Sequence, residues 1–401
     1  MKIDLVELLR LDLPLVAPFR TSFGTQTRRD VLLVRVVADG AEGWGECVAM
    51  AEPLYSSEYT EAAHRVLADQ LLPRLLALPD VTAAAVAPAL APVHGHRMAK
   101  AALETAVLDA QLRAAGMPLA AYLGAVQASV SSGVSVGIHD SVPALLDAVG
   151  GYLAAGYARI KLKIEPGWDL APVAAVRERF GDEVLLQVDA NAAYTRNDLR
   201  TLRALDRFDL LLIEQPLPEE DVAGHAQLAA AGLETPICLD ESITSARAAH
   251  EAIAMGACRI VNIKPGRVGG YLEARRVHDV CAAAGVPVWA GGMLESGVGR
   301  AANLALAGLP GFTLPSDISG SDRYFRQDLT EPFTVADGRI AVPDGPGIGV
   351  TPIPEVLAEL TVRRETVRPE SVRPETVRRE SSQARGAGPA AAQDAGRAEA
   401  R

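Results

Sequence analysis

The sequence predicts an α/β barrel of eight βα repeats preceded by an N-terminal α+β domain. From about residue 130, short apolar strands alternate with helical segments rich in Ala, Leu and Arg, and such alternation argues for a parallel sheet. Eight units over about 190 residues suit a closed barrel. Charged residues end successive strands at intervals of roughly 25 residues, about one βα repeat. An open doubly wound sheet is the alternative, but no G-x-G-x-x-G opens a helix here.

Residues 1–125 read as the α+β capping domain. Strands are expected at "KIDLVELLRL", "VLLVRVVA" and "GWGECV", with "ADGAEG" as a hairpin turn between the last two. Helical patterns follow near residues 57–76 and in "GHRMAKAALETAVLDAQLRAAG", which Gly116 ends. Residues 126–330 form the barrel, with strands at "VSSGVSVGI", "RIKLKI", "VLLQVDAN", "LLLIEQP", "PICLDES", "RIVNIKP", "VPVWAGG" and "FTLPSD". Residues 331–360 contain "PFTVADGRIAVPDGPGIGV", read as a hairpin returning to the first domain. Residues 361–401 begin with four five-residue repeats, "TVRRETVRPESVRPETVRRE", and end in an Ala/Gly/Arg/Gln-rich stretch. With no apolar face to bury, this tail is expected to be disordered.

Composition narrows the function. The 401 residues carry a formal net charge of −11, which goes against a nucleic-acid partner because phosphate binding relies on clustered Lys and Arg. The 49% apolar content supports a sizeable core. No apolar run approaches the ~20 residues of a membrane helix, and "MKIDLVELLR" has no signal-peptide core. Cys47, Cys238, Cys258 and Cys281 form no C-x-x-C pair, so neither a zinc site nor a disulfide framework is expected. A soluble, reduced, cytoplasmic protein is the expectation.

The chemistry lies at the strand ends. In "IKLKI", Lys161 and Lys163 share one strand face and the aliphatics share the other. Lys163, Asp189, Glu214, Asp240 and Lys264 end the second to sixth barrel strands in turn, and equivalent strand ends converge on the rim where barrel active sites are built. Gln187, Asp189 and Asn191 share a face, as do Asn262 and Lys264. Three carboxylates brought together repel one another. A divalent cation relieves this, and their hard oxygens suit Mg²⁺, with Mn²⁺ or Co²⁺ as alternatives. Two other readings fit the same pattern: lysines and carboxylates that merely neutralise one another, and metal binding without catalysis.

With the ion between them, Lys163 and Lys264 flank the site. They stand where a proton α to a carboxylate could be removed or delivered on either face, the ion stabilising the enediolate. Neighbouring positive charge and desolvation lower a lysine's pKa. Lys161 is expected to tune Lys163 in this way and to help hold the substrate carboxylate; Arg267 is expected to tune Lys264.

These motifs, "IKLKI", "VDAN", "IEQP", "LDES" and "NIKPGRVGG", resemble those of the enolase superfamily, muconate-lactonizing subgroup, over residues 1 to about 360. Within it, "APFRTSFGTQ", "GWGECVAM", "PLYSSEY", "GHRMAK", "GVSVGI", "KLKIEPGWD", "GGMLESGVGRAAN" and "SDRYF" resemble the o-succinylbenzoate synthase/N-acylamino acid racemase family. The resemblance implies an enolase-like modified TIM barrel. It implies Lys163 and Lys264 as the acid/base pair, Asp189, Glu214 and Asp240 as Mg²⁺ ligands, and Asn191 and Glu241 as their support. It also implies that a mobile loop spanning Phe19 to Gln26, which includes Phe23, closes over the substrate with Met50 and Tyr55. Ser135, Gly291 and Met293 would line the pocket. A homo-oligomer is implied, and an octamer is the size suggested.

Mandelate-racemase-like relatives use a histidine on a late strand that "VPVWAGG" and "RIVNIKP" lack, and the D-x-D of dipeptide epimerases reads Asp317-Ile318-Ser319 here. The expected activity is racemisation of N-acyl or N-succinyl amino acids together with o-succinylbenzoate synthesis for menaquinone. Arg267 resembles an arginine of the racemase-capable branch. A dedicated synthase is the alternative, followed by a muconate-cycloisomerase-like enzyme. A metal-stabilised scaffold protein is the non-enzymatic one.

Overall fold

The computed structural model describes residues 1–371. Apolar periodicity builds the capping sheet first. β1 (Ile3–Thr21) and β2 (Gly24–Ala38) form a long antiparallel hairpin, and β3 (Ala41–Cys47) pairs with β2. The β2–β3 turn uses Asp39 and Gly40 at φ 49° and 80°, the positive-φ pair that a two-residue hairpin favours. β1 and β2 extend past the expected strands. The segment expected as a mobile loop is the paired tip of this hairpin, with Phe19 opposite Gln26 and Thr21 opposite Gly24. The tip reaches the barrel, where the Arg20 carbonyl accepts from Ile138 N–H at 2.9 Å and Ser22 Oγ donates to the Ala190 carbonyl at 3.4 Å.

The sheet packs on the helix Arg97–Ala114, whose Ala-rich face lets β3 come close. A Cβ at Gly43 or Gly45 would meet the helix carbonyls of Ala106 or Ala102, which is why "GWGE" carries glycines. The helical stretch of residues 60–76 is interrupted by a π turn at Leu67–Leu71. Pro73 has no N–H to offer the preceding turn, and a wider turn accommodates that loss.

Barrel strands β5 (Gly133–Val136), β6 (Arg159–Lys163), β7 (Leu185–Asp189), β8 (Ile213–Glu214), β9 (Ile237–Leu239), β10 (Ile260–Ile263) and β11 (Val288–Ala290) form one parallel sheet in sequential order. Two expectations change in detail. "VSSGVSVGI" divides at Ser132 into β4 (Ser129–Ser131) and β5, because β4 pairs antiparallel with β12 (Arg339–Ala341) below the barrel. The eighth segment, "FTLPSD", is not a regular strand. Pro315 cannot join a ladder, so isolated parallel bridges, Val288 to Phe312 and Ser132 to Ser316, close the ring. The return segment therefore pairs with β4. Its later residues reach the capping domain, where Gly347 N–H donates to the Met117 carbonyl and Ile348 N–H to Asp109.

The first seven residues of the tail are ordered. β13 (Thr361–Val367) pairs antiparallel with β1 as the edge of the capping sheet. Alternate residues are half-buried, and polar contacts replace the missing apolar face. His64 Nε2 lies 2.8 Å from Glu365, Arg363 pairs with Glu61 at 3.3 Å and Arg364 with Glu7 at 3.7 Å. The repeats beyond Ser371 and the Ala/Gly/Arg/Gln-rich end lie outside the described residues.

Two buried carboxylates on the helix Arg97–Ala114 tie the parts together. Glu104 accepts from Leu272 N–H, and Asp109 accepts from Trp44 and Ile348 N–H. Burial pushes Glu104 up to about 7 and Asp109 up to about 6. Each binds its proton more tightly folded than unfolded. Their stabilisation is complete below the ordinary carboxylate range and is lost as pH rises through about 6 to 7. The melting temperature is expected to fall between about pH 5 and pH 8, and the Glu104→Gln variant is expected to flatten that slope in a calorimetric pH series.

Candidate active site

Strand register assembles the site. Lys163 lies opposite Asp189, and Asp189 lies opposite Glu214, across β6, β7 and β8. Asp240 and Lys264 follow one residue after β9 and β10. All five side chains are buried. Lys163 Nζ donates to Asp189 Oδ2 and Asn191 Oδ1, both at 2.6 Å. Lys161 Nζ lies 2.9 Å from Glu214 Oε2, 3.0 Å from Asp189 Oδ2 and 2.5 Å from Asp317 Oδ2. On the other flank Lys264 Nζ donates to Asp240 Oδ2 at 2.6 Å and to Tyr55 Oη at 3.1 Å.

A hydrogen-bonded chain runs from Asn191, beside Lys163, to Arg267. Asn191 Nδ2 donates to Glu241 Oε1 at 3.0 Å, and Arg267 Nη2 donates to the Glu241 carbonyl and, at 2.6 Å, to Glu219. The backbone around the carboxylates is strained. Asn191, Ala192 and Gln215 hold φ of 43°, 62° and 37°, and positive φ outside glycine clusters at functional sites.

The electrostatics follow from burial. Burial, then the charges of Asp189 and Asp240, push Glu214 up to about 8. Burial and Asp240 push Glu241 to about 7. Burial opposes ionisation of Asp189 too, but Lys163 and Lys161 outweigh it and hold that carboxylate well below its usual range. Lys264 answers to its anionic neighbours. Burial pulls its ammonium down, but Asp240, Tyr55 and Glu214 outweigh burial and hold it well above the ordinary value. Lys161 behaves alike beside Asp317, Glu214 and Asp189. Arg267, expected to act on Lys264, is engaged with Glu219 and the Glu241 carbonyl.

Lys161, Lys163 and Lys264 open on one cavity. Phe23, Met50, Tyr55, Ser135 and Met293 line it as expected, joined by Phe19, Leu294, Asp317 and Tyr324. Gly291 does not; Gly292 takes that place. Gly291 sits behind the wall, where a Cβ would press on Asn262 and lie 2.6 Å from Lys264 Cε. Gly291→Ala is therefore expected to keep the fold and lower kcat by about 10²-fold, since small displacements of a reacting group are costly. Steady-state kinetics beside a thermal melt would check this.

Four further residues shape the site. Gln215, fully buried, accepts from Asp240 N–H at 3.1 Å and donates to Ser242 Oγ at 2.8 Å, fixing the turn that carries Asp240. Asn262 Nδ2 donates to Glu214 Oε1 at 2.7 Å. Arg159 donates to Asp317 at 2.6 Å, and both Arg159 and Lys161 lie over the Trp289 ring. "IEQP" and the shared face of Asn262 and Lys264 signalled two of them; Arg159 shares the parity of Lys161 and Lys163, and Asp317 ends the segment "FTLPSD". Among the described residues, no group of three or more His, Cys, Asp or Glu side chains is already gathered for a metal; ammonium groups hold the inner carboxylate oxygens. Asp240 Oδ1 and Glu241 Oε2 are buried without a partner.

Comparison with known proteins agrees with this architecture. Residues 6–124 match the family model described as the mandelate racemase/muconate lactonizing enzyme N-terminal domain, and residues 144–356 match the enolase C-terminal domain-like model. An N-succinylamino acid racemase from an Amycolatopsis species is 66% identical over 364 residues, covering 91% of this chain and 99% of the relative. An o-succinylbenzoate synthase from Geobacillus stearothermophilus is 48% identical, covering 86% and 92%. A crystal structure of an enolase-superfamily member from Listeria innocua superposes with a TM-score of 0.88 at 40% identity, covering 92% of this chain and all of that one. By its two matched domains, its barrel and these relatives, the chain belongs to the enolase superfamily.

Proposed function

We propose that this enzyme moves the proton α to a carboxylate with two lysines and a divalent cation. Its reactions would be racemisation of N-acyl amino acids, N-succinyl amino acids above all, and o-succinylbenzoate synthesis by dehydration. The observation that carries this is the placement of Lys163 and Lys264 on β6 and after β10, on either side of the carboxylate strands and opening on one cavity. The names of the Amycolatopsis and Geobacillus relatives supply the two reactions.

Enolase-superfamily members generally bind Mg²⁺. The residues here suit it: three hard carboxylates, unpartnered buried oxygens on Asp240 and Glu241, and a Glu214 pushed up by burial and then by the charges of Asp189 and Asp240. Asp189, Glu214 and Asp240 would hold the ion, with Asn191 and Glu241 bracing them. When bound, the ion supplies a positive charge against the negative charge that builds on the substrate carboxylate.

The chain's own groups do the rest. Lys163 removes the α-proton from one face and Lys264 returns a proton to the other; the opposite enantiomer uses them in reverse. Lys161, clamped by Asp317 and stacked on Trp289, keeps a fixed ammonium beside Lys163 for the substrate carboxylate. Phe23, Met50, Tyr55 and Met293 keep water from the carbanionic intermediate. In the synthase reaction Lys163 takes the α-proton of a cyclohexadiene carboxylate and gives a proton to the departing hydroxide, while Lys264 only balances charge.

The net charge of −11 goes against a nucleic-acid partner, and no helix among the described residues is long and apolar enough to cross a membrane. A cytoplasmic location and a homo-oligomer, up to an octamer, belong to the proposal through the family. Polarimetry on each enantiomer of an N-succinyl amino acid, with loss of cyclohexadiene absorbance followed in parallel, tests it. Both activities are expected. Dehydration alone would make this a dedicated synthase, and turnover of neither substrate would refute the proposal.

A further inference from the structure

Met293 and Leu294 form one wall of the cavity, and Leu294 holds a φ of 57°. A leucine keeps that conformation only where its surroundings over-determine it. Here the constraint comes from the segment just after it. Glu295 accepts from Met293 N–H at 2.8 Å and from Asn303 Nδ2 at 3.0 Å, while its carbonyl accepts from Arg300 at 2.9 Å.

Ser296 then begins the helix Gly297–Ala307, and a carboxylate of the capping domain closes over that end. Glu46, on β3, accepts from Ser296 N–H at 3.1 and 3.2 Å, from Ser296 Oγ at 2.6 Å and from Gly299 N–H at 3.0 Å. Glu46 is buried, and the partners that hydrogen-bond to it are the neutral amides and hydroxyl of Ser296 and Gly299. An apolar side chain would join the two domains without the desolvation that a buried carboxylate costs. The placement of a carboxylate here, at the amide groups that follow the strained wall, asks for a role beyond packing.

We propose that Glu46 is a positioning residue for the reaction. From the capping domain it anchors Ser296 and the start of the helix, and so holds Met293 and Leu294 at the distance that fits the substrate's apolar side chain. Side-chain preference is then set partly by a residue that never touches the substrate. The inference rests on the reaction proposed above, in which the substrate occupies this cavity.

Kinetics of wild-type, Glu46→Gln and Ser296→Ala enzymes on N-succinyl-alanine and N-succinyl-phenylalanine test it. Gln keeps the size of Glu but turns a donor toward the Ser296 and Gly299 amides. It is expected to raise KM for the phenylalanine substrate about tenfold, with a smaller change for alanine and a smaller loss in kcat, the pattern of lost ground-state binding. Ser296→Ala removes the hydroxyl's bond to Glu46 and its cap on Val298 N–H but leaves the Ser296 and Gly299 amides on Glu46, and is expected to shift KM in the same direction by less. A role in folding alone would lower the melting temperature and leave the KM ratio of the folded enzyme unchanged, which would overturn the inference. If Glu46→Gln does not fold, an unchanged ratio in folded Ser296→Ala overturns it equally. Wild-type enzyme inactive on both substrates would instead overturn the reaction itself, and this inference with it.

Discussion

Lys264→Ala is expected to abolish inversion of configuration, lowering racemase kcat by about 10²–10⁴-fold, the usual contribution of a positioned acid–base group. The loss should be one-sided. The enantiomer whose α-hydrogen faces Lys163 should still exchange it with solvent, because Lys163 and its contacts to Asp189 and Asn191 lie on the other flank. The mirror variant, Lys163→Ala, should reverse the asymmetry and also end dehydration, since one lysine serves both steps of that reaction. Polarimetry with exchange measured on each enantiomer separates these cases. Equal loss of both exchanges in Lys264→Ala would mean that the alanine has collapsed the Asp240 side of the site rather than removed a base.

Removal of the divalent cation should have an effect as large. Chelation with EDTA is expected to end both activities, and added Mg²⁺ to restore them. Stability supplies an independent readout. Asp189, Glu214 and Asp240 repel one another in a buried site, and a ligand bound only by the folded state at a hundredfold excess over its Kd stabilises by about 2.7 kcal/mol. The melting temperature should therefore rise with Mg²⁺ in wild-type enzyme and respond far less in Asp240→Asn. A metal-stabilised scaffold shares the thermal response but not the exchange chemistry.

The lysines and carboxylates of the site were legible because each interrupts a strand's apolar period at the same place in its repeat. Parity put Lys161 beside Lys163 and Asn262 beside Lys264, and the register of β6, β7 and β8 places Lys163, Asp189 and Glu214 side by side. What escaped the sequence depends on contacts between distant segments. Asp317 matters because Arg159, 158 positions away, and Lys161 both turn to it. For Gln215, which "IEQP" marks, the contact that escaped is the turn it holds on the next strand.

The eighth strand was misread because Pro315 thins its ladder without breaking the ring. The edge strand Thr361–Val367 was misread for a different reason: charged side chains dock it through Glu61, His64 and Glu7, and apolar patterning does not register such a strand. The raised Lys264 has a physical cause as well: burial pulls its ammonium down, and Asp240, Tyr55 and Glu214, brought to it from other segments, outweigh burial.

The most direct test of the two-lysine account is α-proton exchange in D₂O, followed by NMR on each enantiomer of an N-succinyl amino acid with Mg²⁺ or with EDTA. Exchange from both enantiomers, dependent on the ion, is the predicted result. Exchange from one enantiomer only, or exchange that survives chelation, would contradict it.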